Sequence, residues 1–179
     1  MKTVALIGGG ELAQAWQRKN LNNYDIELFT HEQFDLTQKK QCDQLANLLS
    51  QKDVVIITAG VYDNDLWNMW MVNYVAPAYL VGQLIEKKYQ GKTIVVSSNA
   101  ANWTSWPDIS LSRLTYNESK HAISSFLYGV VQGKFCGTYC VLEPSKFQSK
   151  MSNHQGQPIE QVVDALDYVI DNNVWNLKF

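Results

Sequence analysis

Tyr116-Asn-Glu-Ser-Lys120 places a phenol and an ammonium four residues apart. On a helix that spacing stacks both side chains on one face, where the ammonium favours the phenolate and lowers the tyrosine pKa. A tyrosine adjusted in this way serves as acid or base toward a carbonyl or a hydroxyl. The same pair also occurs simply as an exposed helix pair. A second group stands near the other end of the chain, where Gly8-Gly-Gly10-Glu-Leu-Ala13 fits G-x-G-x-x-A. In that turn glycine lets the backbone approach a pyrophosphate, and the helix that follows offers free N–H groups and a partial positive charge. A glycine-rich turn equally serves just to permit positive φ. Glu11 at its mouth opposes an anion unless its side chain points away.

These groups need elements to position them. Thr3 to Ile7 is a short apolar run ending in the glycines, after which Leu12, Ala13 and Trp16 recur at helical spacing. Asp25 to Thr30 reads as a second strand and Gln38 to Leu49 as a helix. Val54 to Ile57 is apolar at consecutive positions, as a parallel strand covered on both faces should be. A long helical stretch from about Asp65 to Lys88 leads to a strand at Thr93 to Val96, then a helix from Ser119 to Val131 and a strand at Thr138 to Leu142. Pro158 opens the last helix, and the chain finishes in Val174-Trp-Asn-Leu-Lys-Phe179. Strands alternating with helices predict a Rossmann-like α/β fold: a doubly wound parallel sheet of about seven strands with helices on both faces. Ala101 to Thr115 and Glu143 to Gln157 read as loops after strand ends, where open α/β sheets carry their ligand crevice.

Composition limits the function classes. A chain of 179 residues suits one domain spanning residues 1–179, burying about 70% of its unfolded surface. At 46% apolar and 18% charged residues it lies outside the disordered regime. Lys and Arg number 15 against 17 acids, so no electrostatic excess advertises nucleic acid or an anionic membrane. The apolar runs fall well short of the roughly 20 residues that cross a bilayer, and the start reads as a strand rather than a signal sequence. A cytoplasmic protein is expected. Cys42, Cys136 and Cys140 read as reduced thiols, with Cys136 and Cys140 packing as small apolar residues. Isolated histidines make no metal site.

Taken in order, the motifs resemble those of the short-chain dehydrogenase/reductase family, of which this would be an unusually short member. The resemblance runs from Met1 to about Met151: the glycine turn, Asp35-Leu-Thr37, Thr58-Ala-Gly60, Asn73, Ser97-Ser98, Tyr116-x-x-x-Lys120, and Pro144-Ser145 with Ser149 and Met151. It implies that Tyr116 exchanges a proton with the substrate oxygen as hydride passes to or from a nicotinamide. Lys120 would hold the ribose hydroxyls and lower the Tyr116 pKa, and Ser98, with Ser97 as runner-up, would hydrogen-bond the substrate carbonyl. Asn73 would help to hold a relay water. Gly8, Gly10, Glu11 and Leu12 would form the phosphate turn. Asp35 and Leu36 would border the adenine, Ala59 and Gly60 the ribose, and Pro144 and Ser149 the nicotinamide.

The departures are also informative. Leu12 and Gln14 stand where the family has later glycines, Thr58 replaces its Asn and Ser145 its Gly. No helix fits between the second strand and Asp35, so the adenosine side is trimmed. The 18 positions from Ser98 to Tyr116 carry Trp103, Trp106 and Pro107, which either wall a pocket or cover the sheet edge. At the end of the second strand Thr30 and His31 lean the cofactor toward NADP rather than NAD. The expected function is NAD(P)-dependent carbonyl reduction or alcohol oxidation of a small molecule by a homodimer or homotetramer. The alternative is a non-catalytic dinucleotide-binding regulatory or assembly module.

Overall fold

Val4 and Leu6 point to one side of their strand and Ala5 and Ile7 to the other, and all four are buried. The strands that follow share this two-sided apolar pattern, which only a sheet covered on both faces satisfies. The computed structural model describes residues 1–99 and 110–179 and arranges β1 (Thr3–Ile7), β2 (Asp25–Phe29), β3 (Val54–Ile57), β4 (Lys92–Val96), β5 (Thr138–Glu143) and β6 (Asn176–Lys178) as one sheet. Its order is β2-β1-β3-β4-β5-β6 with every pairing parallel. The fold class agrees with expectation. The strand count among the described residues is six rather than about seven.

One face carries α2 (Lys39–Leu49), α4 (Ala76–Glu86) and α5 (Leu111–Gln132), whose Leu45, Leu49, Leu80, Leu84, Ile123 and Leu127 pack with Ala5, Ile7, Val55 and Val141. The other carries α1 (Glu11–Asn20) and α6 (Ile159–Asp171), where Leu12, Trp16, Val162 and Leu166 meet Val4, Leu6, Ile56 and Leu142. Polar bonds lock that pair of helices, with Trp16 Nε1 donating to Asp167 at 2.7 Å. No described helix is long and apolar enough to cross a membrane.

Three details of these elements bear on the site. The chain leaves β1 for β2 at the sheet edge and then crosses to β3 on the other side. A crevice opens at that reversal. The stretch expected as one helix from about Asp65 to Lys88 is α3 (Leu66–Trp70), a π-helical turn (Met71–Val75) and α4 in continuous succession. Pro77 has no N–H to give the Asn73 carbonyl four residues back, and the ladder widens there. Finally, α5 starts at Leu111, eight residues before the expected Ser119. Ser110 caps it by accepting from Arg113 N at 3.1 Å. Its first turns are polar because they face a cleft instead of the core.

Candidate active site

The turn after β1 uses its glycines for different reasons. Gly8 has φ +115°, and a Cβ there would lie 2.8 Å from both Thr58 Oγ1 and Ala59 N. Thr58 occupies that space because its hydroxyl donates to Ile7 O at 2.9 Å, tying the ends of β1 and β3. Gly10, at the N-cap of α1, has an ordinary extended φ of −72°. A Cβ at Gly10 would meet nothing within 4 Å. Neither backbone strain nor packing within the chain requires glycine there. It borders a cleft of about 310 Å³ that also takes in Gly8, Thr30, His31, Leu36, Ala59 and Gly60.

Beneath this cleft lies a polar cluster. Asn73, in the π-helical turn, accepts from Val61 N at 2.8 Å and donates to Val61 O at 2.9 Å, pinning the segment after β3. Its Nδ2 also donates to Ser119 Oγ at 3.1 Å, and Ser119 Oγ donates to Tyr116 O at 2.8 Å. Lys120 is only 4% exposed, with Nζ donating to Val96 O at 3.3 Å and lying 5.9 Å from the centre of the Tyr116 ring. Burial lowers its pKa from 10.5 to about 8. Gly60 closes over it, since a Cβ at Gly60 would come within 3.0 Å of Nζ and 3.5 Å of Asn73 Oδ1.

Tyr116 is half-buried, edge-on to Tyr62 with ring centres 5.4 Å apart. Burial pushes its phenol above the ordinary tyrosine value, and a hydrogen bond with Ser98 pulls it back. The net shift is upward, opposite in direction to the one expected from the Tyr116–Lys120 spacing. Ser98 and Tyr116 line a second cleft of about 340 Å³, with Pro144, Ser149 and Met151 on the far wall. Ser97 also borders this cleft, but its hydroxyl is engaged, donating to Lys120 O at 3.0 Å and accepting from Ser124 Oγ at 2.8 Å. Ser97 thus ties the end of β4 to α5, while Ser98 pairs with Tyr116 at the cleft. The far wall is a self-bonded loop: Gln148 N donates to Gln157 O and Gln157 N to Lys146 O, each at 2.9 Å. Glu11 Oε2 accepts from Lys150 N of that loop at 2.6 Å, joining it to the start of α1.

No protein-family model matches the sequence, and no curated protein matches it by sequence. Solved structures do match. A short-chain dehydrogenase from Streptomyces avermitilis superposes with a TM-score of 0.77 at 14% identity, covering 100% of this chain and 89% of its own. A 4-hydroxyisoleucine dehydrogenase complexed with NADH gives 0.79 at 15% identity over 99% of this chain and 96% of its own. A short chain dehydrogenase from Burkholderia cenocepacia in complex with NADP gives 0.76 at 15% identity over 98% and 87%. The chain has the fold of the short-chain dehydrogenases.

Within the short-chain dehydrogenase fold, the residues expected to act separate into four groups. Gly8, Gly10, Thr30, His31, Leu36, Ala59 and Gly60 border the first cleft, and Ser98, Tyr116, Pro144 and Ser149 the second. Asn73 and Lys120 lie under both, linked to Tyr116 through Ser119 and the α5 turn. The fourth group borders neither. Leu12 is in the apolar core, the Glu11 carboxylate meets Lys150 N, and the Asp35 carboxylate accepts from Thr37 N at 2.9 Å and Thr37 Oγ1 at 2.7 Å. Those two hydrogen bonds hold the Asp35 carboxyl below its ordinary value. Trp103, Trp106 and Pro107 fall outside the described residues. Cys136 is exposed, correcting its expected packing, while Cys42 and Cys140 are buried. The sequence did not single out Val61, Tyr62, Asn68, Arg113, Asn117 or Lys146. Of these, only Arg113 and Asn117 had a local signal, lying three residues before Tyr116 and one after it on the helix face that turns to the cleft.

Proposed function

We propose that the chain is an NAD(P)-dependent oxidoreductase that reduces a carbonyl or oxidises an alcohol, with Tyr116 as the acid/base. The observation that carries this reading is the Ser98–Tyr116 hydroxyl pair, set at one cleft with Lys120 and Asn73 beneath it. A carbonyl oxygen entering between the two hydroxyls receives a hydrogen bond from each as negative charge develops on it. Tyr116 Oη then gives its proton to that oxygen, and its raised pKa keeps it protonated until the oxygen becomes basic enough to take it. In the oxidative direction Tyr116 accepts the same proton. Lys120, with a pKa of about 8, supplies a titratable ammonium one helical turn away, and Asn73 fixes the segment that covers it.

The first cleft fits a dinucleotide. The open position beside Gly10 is a cradle that any side chain would fill, and the first turn of α1 presents its N–H groups there. Gly8, Gly9, Gly10, Ala59 and Gly60 would hold the phosphates and ribose, and Pro144 with Ser149 would border the nicotinamide. The bound dinucleotide supplies or accepts the hydride. No carboxylate borders the cleft among its described lining residues, where the ribose diol of NAD would draw on one. Thr30 and His31 are there instead, which favours NADP. The Trp67 side chain, 73% exposed on α3, supports self-association into a homodimer or homotetramer through that helical face.

A dinucleotide-binding module without turnover is the second reading. It is favoured by the Glu11 carboxylate in the first turn of α1, which competes with a phosphate for the positive end of the helix. Titration with NADPH and with NADH, followed by energy transfer from the six tryptophans, separates the outcomes when paired with a carbonyl panel. Saturable micromolar binding with turnover supports the enzyme, and binding without turnover supports the module. No binding of either dinucleotide at millimolar concentration contradicts both.

A further inference from the structure

Among the described residues that line the second cleft, two polar side chains are more than nine-tenths buried, Ser97 at 4% exposure and Asn117 at 3%. The Ser97 hydroxyl is used within the fold, donating to Lys120 O and accepting from Ser124 Oγ. The Asn117 amide makes no hydrogen bond with any described residue. Such a group carries two N–H donors and an oxygen with two lone pairs. Burying it unpartnered costs stability that an apolar side chain of similar size avoids. The helix does not account for it either, because Asn117 lies well inside α5, away from both caps, where asparagine is a weaker helix former than leucine. Asn117 follows Arg113 by four residues and Tyr116 by one, and all three border the cleft. They form one stripe of the helix turned toward it.

Resting on the oxidoreductase reading, we infer that Asn117 is a specificity-determining residue whose amide hydrogen-bonds a hydroxyl on the carbon next to the reacting one. The substrate is then a hydroxyketone in reduction and a vicinal diol in oxidation. A hydroxyl is the smallest neutral group that both donates and accepts, as the amide does, and its place beside the carbonyl follows from Asn117 standing one residue from Tyr116. Reduction breaks the carbon–oxygen π bond. A C–H bond forms with the hydride of the reduced dinucleotide, an O–H bond forms with the proton of Tyr116, and the second hydroxyl is unchanged. A site built to hydrogen-bond a substrate hydroxyl discriminates against the analogue that lacks it, because the buried amide is then left unpaired.

Thermal melting of Asn117→Leu reads whether the amide serves the fold. The variant should melt no lower than the parent, and one that melts lower or fails to fold overturns the inference. Heteronuclear NMR of the parent chain needs neither the variant nor turnover. With NADPH present, against which an alcohol is unreactive, 1-phenyl-1,2-ethanediol should shift the Asn117 side-chain NH2 resonances saturably and 1-phenylethanol should not. Shifts from both alike, or from neither, overturn the inference. The kinetic arm compares 2-hydroxyacetophenone with acetophenone. The ratio of their kcat/KM values should fall at least about tenfold from the parent to Asn117→Leu. Because the hydroxyl also activates the ketone, the change in that ratio is the readout, and an unchanged ratio overturns the inference. A diol-specific shift without turnover of either ketone counts against the oxidoreductase reading alone, whereas turnover with an unchanged ratio counts against the role of Asn117 alone.

Discussion

Gly60 and Lys120 approach so closely that a single added carbon on Gly60 would lie 3.0 Å from the buried ammonium. The atom that must yield is the far end of a flexible side chain, so the fold can accommodate the methyl group while the ammonium cannot keep its place. Gly60→Ala should therefore change stability by less than about 1 kcal/mol and lower kcat/KM at least about tenfold. Thermal melts and steady-state rates on the same preparation check both halves.

Lys120 is held at the expense of stability. A pKa lowered from 10.5 to about 8 corresponds to roughly 3 kcal/mol against the folded state when the group is charged. Below pH 8 the folded chain bears that cost in full. As pH rises from 8 toward 10.5 the folded ammonium has already lost its proton while the unfolded one still holds it, and the cost fades. Lys120→Met should be more stable than the parent by about 1–3 kcal/mol at pH 7, with the gap closing toward pH 10.5, and should lack turnover. Denaturant melts across that pH range give the comparison.

Two glycines of one turn should answer differently to the same change. Gly8→Ala meets positive φ and two contacts at 2.8 Å, and should destabilise the chain by about 2–4 kcal/mol. Gly10→Ala meets no atom of the chain and keeps an allowed φ, so its stability should fall by less than about 1 kcal/mol while dinucleotide affinity falls at least tenfold. Equal losses of stability in the two variants would show that Gly10 serves the fold rather than a ligand.

The Glu11–Lys150 bond can be followed through exchange of one amide. Glu11→Ala leaves Lys150 N without its acceptor at 2.6 Å, so that amide should lose protection against hydrogen exchange, with protection in the β1 and β3 amides unchanged. Heteronuclear NMR resolves the individual amides.

What could be read from the sequence follows physical lines. Strands buried on both faces, such as Val54 to Ile57, announce a parallel sheet without any knowledge of neighbours, and the Tyr116–Lys120 spacing survives because it is local to one helix. The start of α5 was hidden because Arg113 and Asn117 face a cleft, and with Ser112, which donates to Asn64, they break the apolar period. The π-helical turn needed the Asn73–Pro77 register, which composition does not display. The second cleft depends on residues brought together by crossover connections, with Tyr62 from the segment after β3 and Lys146 from the loop after β5. The direction of the Tyr116 shift depends on burial, which spacing along one helix does not display.

The most direct measurement is turnover by Tyr116→Phe. The variant keeps the ring that packs edge-on against Tyr62 and loses only the hydroxyl paired with Ser98. With melting temperature and dinucleotide affinity close to those of the parent, kcat should fall about 10²–10⁴-fold, the range for loss of a positioned acid/base. A variant that folds, binds the dinucleotide and retains more than about a tenth of the parent rate would contradict the role given to Tyr116.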